Sequence, residues 1–447
     1  MHCANRSARV GACSIGLVVA LQIATAALGS DRWPRFRGPS GQGVATSGQA
    51  PVQFGLGRNL RWKTPIEGQG WSSPVIADGQ IWLTTAIAIP ASEAERQAKL
   101  AGKTAGGPKE LAGSVTFKAI CVDLDSGQVI HSITLATEDD PDPINPLNSY
   151  ASPTPVIDGD RVICDFGNYG TWALDRDSGE TIWKTKYDVD YSVGPGSSPV
   201  VVGDIVILVC DGIDQQFVVG LDKRTGNQVW RTDRPPIRAS NVEFRKAYST
   251  PLVVAHNGQT QVVVPGAQWL CGYDPATGRE LWRFDHGDGF SVSPTAIQVG
   301  DLIVFSTGFM RPVLVAVRWG DDGRVTQDEE VWRVTRGAPT KPSPIAVGNW
   351  IYVISDNGIL TQVDAADGSI RWQERLGGNY SASPVLVGDK LYFCSHEGEV
   401  SVVQAGPEFL LLAKNELEPR LMASPAVVGE DLVIRSERHL FRFHQER

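Results

Sequence analysis

The amino-acid sequence predicts an all-β protein, an eight-bladed β-propeller of four-stranded antiparallel blades. Two repeated patterns support this prediction. A nine-residue frame with Asp, Gly and Trp at four-residue intervals, as in Asp222–Trp230, recurs along the chain. A Ser/Thr-Pro pair followed by an apolar run and a turn occurs eight times, and the last six spacings are 44, 52, 43, 50, 40 and 41 residues. Four-strand repeats of this length are typical of propellers, whereas the turns of a β-solenoid, the alternative, are shorter.

The chain begins with a segment typical of a secretory signal peptide, residues 1–29. An apolar run, Ile15–Leu28, follows two arginines, and Ala27–Gly29 offers small residues for cleavage. The run is 14 residues long, too short for a stable membrane span, although an uncleaved anchor helix is the alternative. Cys13 precedes the run, so we expect no lipid anchor. We therefore expect a periplasmic or secreted protein with no membrane span after cleavage.

Charge and cysteine content narrow the classes of function. The 447 residues carry a net charge of −9, which excludes the basic face that nucleic-acid binding needs. The cysteines beyond residue 29 lie far apart, mostly in apolar strand-like runs, and no Cys-x-x-Cys occurs. We interpret them as buried hydrophobic residues rather than a disulfide framework, and expect neither structural zinc nor covalent haem. They are Cys121, Cys164, Cys210, Cys271 and Cys394.

Two segments depart from the repeats. Residues 30–58 show little periodicity and are predicted to form an extended N-terminal arm, pinned by Trp33 and Phe36. An insertion at about residues 87–114 interrupts the first blade between its second and third strands. A Ser-x-x-Glu capping pattern at Ser92 predicts a short charged surface helix there, followed by a loop.

The propeller is predicted over residues 59–447. Each blade starts at a Ser/Thr-Pro pair, and Gly with Asp or Asn marks the first hairpin turn. The eighth unit, Ser424–Phe443, supplies only three strands, and Trp62 is followed by Lys as expected of a missing fourth strand. The N-terminal strand should therefore close the ring. The repeat pairs begin at Ser73, Thr154, Ser198, Thr250, Ser293, Ser343, Ser383 and Ser424.

The Asp-Gly-Trp frame predicts the outer hairpin of each blade. Asp should accept local backbone N–H groups, Gly should supply a positive φ, and Trp should lie on the returning strand. We expect the Trp position to pack blade against blade, with a packing His in the first blade rather than a catalytic base. These docking residues are Trp62, His131, Trp183, Trp230, Trp282, Trp332 and Trp372.

The frame resembles the tryptophan-docking motif of quinoprotein dehydrogenase propellers. It is also similar to the non-enzymatic branch of that superfamily, typified by BamB, the outer-membrane β-barrel assembly factor. The motif's Thr is matched by Thr225 and Thr277, and its leading Ala by Ala173. Residues 31–86 resemble the start of secreted PQQ-like repeat proteins of planctomycete-type bacteria. The resemblance covers residues 59–447 and implies the fold more than the function, because one fold hosts many functions.

The dehydrogenase branch implies an adjacent Cys-Cys disulfide and a calcium ion beside the quinone. No two cysteines are adjacent here, and no calcium ligand set is recognisable by motif. Residues 139–142 and 188–190 are acidic, but neither has a defined calcium-loop signature, and a solvated acidic loop is the simpler interpretation. We expect no catalytic residues, no metal and no cofactor, with PQQ and calcium disfavoured.

A binding site is expected where the loops that lead into each Ser/Thr-Pro pair meet, at the mouth of the channel. Aromatic residues with a few cations suit an envelope protein or peptide, a glycan or a small aromatic ligand, although they could instead plug the channel. We expect a BamB-like binding scaffold; the alternatives are a PQQ-dependent oxidoreductase with a divergent site and a glycan-binding propeller. The candidate ring is Trp71, Tyr150, Tyr248, Phe290, Lys341, Tyr380 and Arg420.

Overall fold

The structure is a computed structural model that describes residues 32–46, 48–101 and 107–445. The predicted signal peptide therefore lies outside the described residues, as do residues 30–31 and 47 of the arm, residues 102–106 of the insertion and residues 446–447 of the propeller. Within the described ranges, 32 strands form eight four-stranded antiparallel sheets, each a blade. The predicted eight-bladed propeller is confirmed.

The blades follow one another along the chain. Blade 8 combines β1 (Leu60–Pro65) with three strands from the other end of the chain. Blade 1 contains β2 (Val75–Ala77), β3 (Gln80–Pro90), β4 (Ala112–Asp123) and β5 (Val129–Glu138). Blade 2 contains β6 (Val156–Asp158), β7 (Arg161–Asp165), β8 (Thr171–Asp175) and β9 (Thr181–Thr185). Blade 3 contains β10 (Val200–Val202), β11 (Ile205–Asp211), β12 (Gln216–Asp222) and β13 (Gln228–Asp233). Blade 4 contains β14 (Leu252–His256), β15 (Gln259–Pro265), β16 (Trp269–Tyr273) and β17 (Glu280–Asp285).

The later blades keep the same order. Blade 5 contains β18 (Ile297–Val299), β19 (Leu302–Ser306), β20 (Leu314–Arg318) and β21 (Glu330–Val334). Blade 6 contains β22 (Ile345–Val347), β23 (Trp350–Ile354), β24 (Ile359–Asp364) and β25 (Ile370–Arg375). Blade 7 contains β26 (Val385–Val387), β27 (Lys390–Cys394), β28 (Glu399–Gln404) and β29 (Leu410–Glu416). Blade 8 adds β30 (Ala426–Val428), β31 (Asp431–Arg435) and β32 (His439–His444). Short 3₁₀ helices lie at Gly167–Tyr169, Val242–Phe244 and Gln327–Glu329.

The N-terminal strand closes the ring, as predicted. Strand β1 pairs antiparallel with β32, and Trp62 lies opposite Arg442. This pairing joins the two ends of the propeller, so blade 8 contains strands from both.

The first strand of each blade lies innermost, next to the first strands of its neighbours. Strand β2 contacts β6 and β30, and β6 contacts β10. Because the strands are antiparallel, connections from second to third strands and between blades lie on one face, here called the loop face. The first turns and the Asp-Gly-Trp hairpins lie on the opposite face, here called the turn face.

Each outer hairpin is built by its Asp and Gly. In blade 3, Asp222 Oδ1 accepts the backbone N–H groups of Arg224 at 2.9 Å and Thr225 at 3.0 Å. Gly226 then turns the chain at φ +72°, in the left-handed region that favours glycine. The hairpin returns as β13, which carries Trp230.

Trp230 shows how one blade docks on the next. Its Nε1 donates to Pro275 O of blade 4 at 3.0 Å. A Cβ placed on Gly278 of blade 4 would lie 2.3 Å from the indole, and one on Gly220 of its own blade would also lie 2.3 Å away. The indole therefore fills a slot between two glycines, one from each blade.

The other docking positions follow or modify this arrangement. Trp62, Trp183 and Trp332 donate to backbone carbonyls of the following blade at 2.8–2.9 Å. His131 Nε2 lies 3.0 Å from Asp177 O of blade 2. Trp282 instead donates to Gln261 Oε1 at 2.7 Å.

The last docking position faces the degenerate blade 7. Trp372 packs edge-on against Phe409 with ring centroids 5.5 Å apart. Its Nε1 has no acceptor among the described residues. The hydrogen bond to the following blade, which four other docking tryptophans make, is therefore missing at this step.

The blade 1 insertion is narrower than the sequence suggested. Strands β3 and β4 stay paired as far as Pro90 and Ala112 and so extend beyond the blade as a two-stranded ribbon. Between them, α1 (Glu93–Leu100) starts at a capping box formed by Ser92 and Glu95. The helix buries no residue, as expected of a charged surface helix.

The five cysteines of the described residues are packing residues. All are buried and carry free thiols. Burial raises the pKa of each thiol, which keeps it neutral and unreactive.

Candidate functional site

A ring of hydrogen bonds joins the blades where their innermost strands begin. In seven of the eight steps, the backbone N–H of one ring residue donates to the side-chain hydroxyl of the next, at 2.9–3.1 Å. Ser424 donates to Ser73 and so closes the circle. The ring residues are Ser73, Thr154, Ser198, Thr250, Thr295, Ser343, Ser383 and Ser424.

The ring residue of blade 5 is not the first residue of its repeat pair. The repeat pair of blade 5 begins at Ser293, but Thr295 holds the ring position and donates its N–H to Ser343 Oγ at 3.0 Å. Thr295 precedes β18 by two residues, the same offset that separates every other ring residue from its strand. Both Ser293 and Thr295 of the Ser-Pro-Thr sequence have hydroxyl groups. The start of β18 at Ile297 is what places Thr295, rather than Ser293, in the ring.

A cavity of about 540 Å³ lies at the ring and opens on the loop face. Each blade contributes the residue two positions before its ring hydroxyl. Because the chain enters every innermost strand with the same register, these side chains point to the same space. They are Trp71, Ser152, Gly196, Tyr248, Ser293, Lys341, Ser381 and Met422.

Whether a predicted site residue reaches the cavity depends on how many positions it lies before the ring residue of its blade. Trp71, Tyr248 and Lys341 occupy the shared position, and Phe290 reaches the cavity from a longer loop. The other three predicted residues do not line it, because they lie three or four positions before their ring residues. These three are Tyr150, Tyr380 and Arg420.

The three off-register residues have structural contacts. Tyr150 is buried and its hydroxyl donates to Asp142 O at 2.8 Å. Tyr380 is fully buried. Arg420 stacks on Trp71 with its guanidinium 5.2 Å from the ring centroid, so it supports the cavity wall from behind.

Apolar side chains surround the mouth and were missed by the sequence analysis. Leu147, Phe244, Phe309 and Met310, here called the rim patch, are exposed yet also line the cavity. They come from the loops before blades 2 and 4 and from the loop between β19 and β20. Phe290 joins two of them, 4.3 Å from Phe244 and 6.2 Å from Phe309 between ring centroids. In the sequence, only the length of the loops before blades 2 and 4 indicates that they could form part of a site.

A buried ion pair anchors one side of the rim. Glu243 and Lys246 form a salt bridge, and Ser192 Oγ donates to both Glu243 oxygens at 3.0 and 2.9 Å. Burial opposes ionisation of Glu243, but the hydrogen bonds from Lys246 and Ser192 outweigh it and hold its pKa below the usual value. Burial lowers the pKa of Lys246. This pair places one ammonium group at the cavity wall.

A second polar group lines the cavity where blades 6 and 7 begin. Lys341 pairs with Asp356 at 2.7 Å. Beside it, Ser381 Oγ lies 2.8 Å from His396 Nε2. Burial, followed by the charge of Lys341, lowers the pKa of His396, so this imidazole is neutral at pH 7.

The N-terminal arm closes the channel from the turn face. Trp33 exchanges two backbone hydrogen bonds with blade 1, at 2.7 and 2.8 Å. Further along, Phe36 lines the cavity. The arm is held by innermost strands of four blades, each at the residue three positions after the ring residue: Ile76, Ile157, Gln298 and Leu386. The cavity is therefore a cup with the arm as its floor.

The dehydrogenase resemblance implies a metal ion and a disulfide, and both can be compared with the described residues. Within the ranges that the structure describes, no group of three or more His, Cys, Asp or Glu is placed to hold a metal ion. The cysteines lie in separate blades, so none can form the disulfide between adjacent residues that those enzymes place against the quinone.

The family model described as "Outer membrane protein assembly factor BamB" matches residues 91–268 and 266–406, well over half of the chain. The chain belongs to this BamB family of PQQ-like β-propellers. The resemblance seen in the docking frame is thus confirmed.

Individual relatives match more distantly. A stretch of 108 residues is 32% identical to the outer membrane protein assembly factor BamB of Burkholderia pseudomallei (strain K96243). It covers 24% of this chain and 28% of that protein, so less than a third of the relative's length is matched.

Solved structures share the propeller. BamB from Moraxella catarrhalis aligns with a TM-score of 0.51 and 19% identity, over 75% of this chain and 84% of that one. A europium-containing methanol dehydrogenase aligns with a TM-score of 0.61 and 12% identity, over 90% and 89%. These identities show the fold alone, and an assembly factor and an enzyme share it. Among the described residues, no helix is long and apolar enough to cross a membrane.

Proposed function

We propose that this BamB-family propeller is a binding scaffold of the cell envelope and docks another envelope protein on its loop face. The rim patch carries the proposal. Met310 is 65% exposed and Phe309 55% exposed, and both stand beside an open cup. Contiguous exposed apolar groups on a folded protein mark interaction sites, and Phe and Met are enriched at such interfaces.

The family supports a protein partner. The curated relative is named outer membrane protein assembly factor BamB, and a solved BamB structure shares the fold. That name favours a partner among the proteins of the cell envelope. The signal peptide expected in residues 1–29 would deliver the chain to that compartment. Fractionation of cells that express the chain with and without residues 1–29 tests the location.

Crosslinking at the rim tests the partner. A photoreactive residue at Met310 should capture a reproducible envelope protein, and the double variant Phe309→Ser/Met310→Ser should reduce co-purification of that protein at least tenfold. Leu410→Ser is the matched control, because Leu410 is 51% exposed on the outermost strand of blade 7, away from the rim. No reproducible partner, or equal recovery with the rim variant, would contradict docking at this patch.

We also propose that the scaffold works without PQQ or calcium. Purified protein given both should bind no stoichiometric quinone and should show no dye-linked oxidation of alcohols or sugars above background. Stoichiometric quinone binding with turnover would overturn the scaffold proposal in favour of an oxidoreductase. Glycan binding, the other alternative, has no support from the relatives.

A further inference from the structure

The ring hydroxyls at the base of the cup have unused hydrogen-bond donors. A Ser or Thr hydroxyl has one O–H donor and can also accept. Six ring hydroxyls accept a backbone N–H, yet their own O–H groups reach no acceptor among the described residues. All six residues line the cavity and are at most 6% exposed. They are Ser73, Thr154, Ser198, Thr250, Ser343 and Ser424.

The other two ring hydroxyls behave differently. Ser383 Oγ donates to Ser343 Oγ at 3.1 Å, and Thr295 Oγ1 donates to Thr250 O. Thr295 does not line the cavity. The unused donors therefore coincide with the cavity, and Thr295 provides an internal comparison.

An indole N–H in the cup also lacks a hydrogen-bond acceptor. The buried Nε1 of Trp71, on the cup wall, also has no acceptor among the described residues. Buried donors without partners are costly, so the cup must receive acceptor atoms from water or from a ligand. An acceptor-only group suits these unused donors better than a sugar hydroxyl, which also brings donors.

The lysines of the cup add further hydrogen-bond donors to its walls. Its lining includes two ammonium groups, Lys246 and Lys341, and one carboxylate, Glu243. Each ammonium is paired with a carboxylate, Lys246 with Glu243 and Lys341 with Asp356, so these side chains add N–H donors to the walls rather than net positive charge. The upper walls of the cup are apolar, with Tyr248, Phe290 and Met422 among them.

We propose that the cup binds an organic carboxylate with an apolar body. The carboxylate oxygens accept hydrogen bonds from the ring hydroxyls, and the body packs among the aromatic walls. The carboxylate comes either from a free acid or from the C-terminus of a polypeptide chain. This site lies at the base of the cavity whose mouth carries the rim patch, and it adds a ligand to the proposed docking of a partner.

Calorimetry with matched probes tests the proposal on the full mature chain. 2-Naphthoate is compared with 2-naphthamide, and an apolar pentapeptide with a free C-terminus is compared with its amidated form. At least one acid should bind tenfold or more tightly than its amide. The tighter acid identifies the source of the carboxylate. Equal binding of acid and amide, or no saturation by any probe at millimolar concentration, would show that the ring holds water only.

Two hydroxyl deletions locate the interaction. Thr250→Val removes a hydroxyl that faces the cup and should weaken the acid about tenfold, whereas Thr295→Val should leave its affinity unchanged. Thr250→Val also removes the acceptor of Ser198 N–H, so its folding is checked by circular dichroism. Equal losses in the two variants would refute the assignment.

A third variant leaves the ring intact. Lys341→Gln should weaken the acid several-fold and leave the amide unchanged, and equal effects on both would overturn the role of the ammonium donor. The rim variant Phe309→Ser/Met310→Ser removes apolar groups at the mouth and leaves the ring hydroxyls in place, so it should keep the preference for acid over amide even where it loses the protein partner. The two proposals therefore fail separately.

Discussion

Replacement of one docking glycine tests how the blades are held together. In Gly278→Ala, the new Cβ would lie 2.3 Å from the Trp230 indole, and the backbone at φ +71° would disfavour any residue with a Cβ. The left-handed backbone costs about 1–2 kcal/mol. Overpacking against a fixed ring adds about 1–3 kcal/mol. We expect the free energy of unfolding to fall by about 2–5 kcal/mol in total.

The chain offers a control with the same backbone strain and no contact. Gly300, in the first turn of blade 5, has φ +60°, and a Cβ there would meet nothing within 4 Å. Gly300→Ala should therefore cost only about 1–2 kcal/mol. Urea unfolding followed by circular dichroism measures both variants, and their midpoints are compared at equal m-values.

A double variant isolates the contact. With Trp230→Ala in place, the indole is gone and Gly278→Ala should cost no more than Gly300→Ala does. The docking argument is refuted if Gly278→Ala and Gly300→Ala destabilise the protein equally. It is also refuted if the effect of Gly278→Ala is unchanged without the indole.

Three further predictions concern stability. Trp33→Ala should destabilise the protein by about 3–5 kcal/mol and expose the arm to protease, because Trp33 is fully buried; an arm that stays protected would contradict its anchoring role. Burial raises the pKa of Asp165 to about 6, so the folded state binds this proton more tightly than the unfolded chain does. Protonated Asp165 therefore stabilises the fold by roughly 3 kcal/mol below about pH 4, and this stabilisation is lost as the pH rises through 6. Asp165→Asn should remove this part of the pH profile of stability in urea titrations. An unchanged profile would refute the assignment to Asp165. Gln261→Met should cost about 1–3 kcal/mol by leaving the buried Trp282 Nε1 without an acceptor, and a neutral effect in the same assay would contradict the bridge.

Much of the fold could be predicted because its determinants are local. The turn at Asp222–Gly226 depends on a side-chain hydrogen bond and one positive φ within five residues. The closing role of Trp62 followed from the missing fourth strand of the last blade. Such features need no knowledge of distant contacts, so repetition made them visible.

The candidate site was only partly predictable. Tyr150 and Trp71 look equivalent in the sequence, but a shift of two positions relative to the ring turns one into a packing residue and the other into a cavity wall. The rim residues Phe309 and Met310 belong to no repeat, so no pattern marked them.

The sequence by itself determined the number of blades, their strands and turns, and the closure of the ring. Only the tertiary structure decided that Thr295 rather than Ser293 joins the ring, that the arm with Phe36 is the floor of the cup, and which hydroxyls face it. The physical reason is that each ring bond joins residues 40 or more positions apart, up to 351 at the closure. Those bonds form only when all eight innermost strands are in register around one channel.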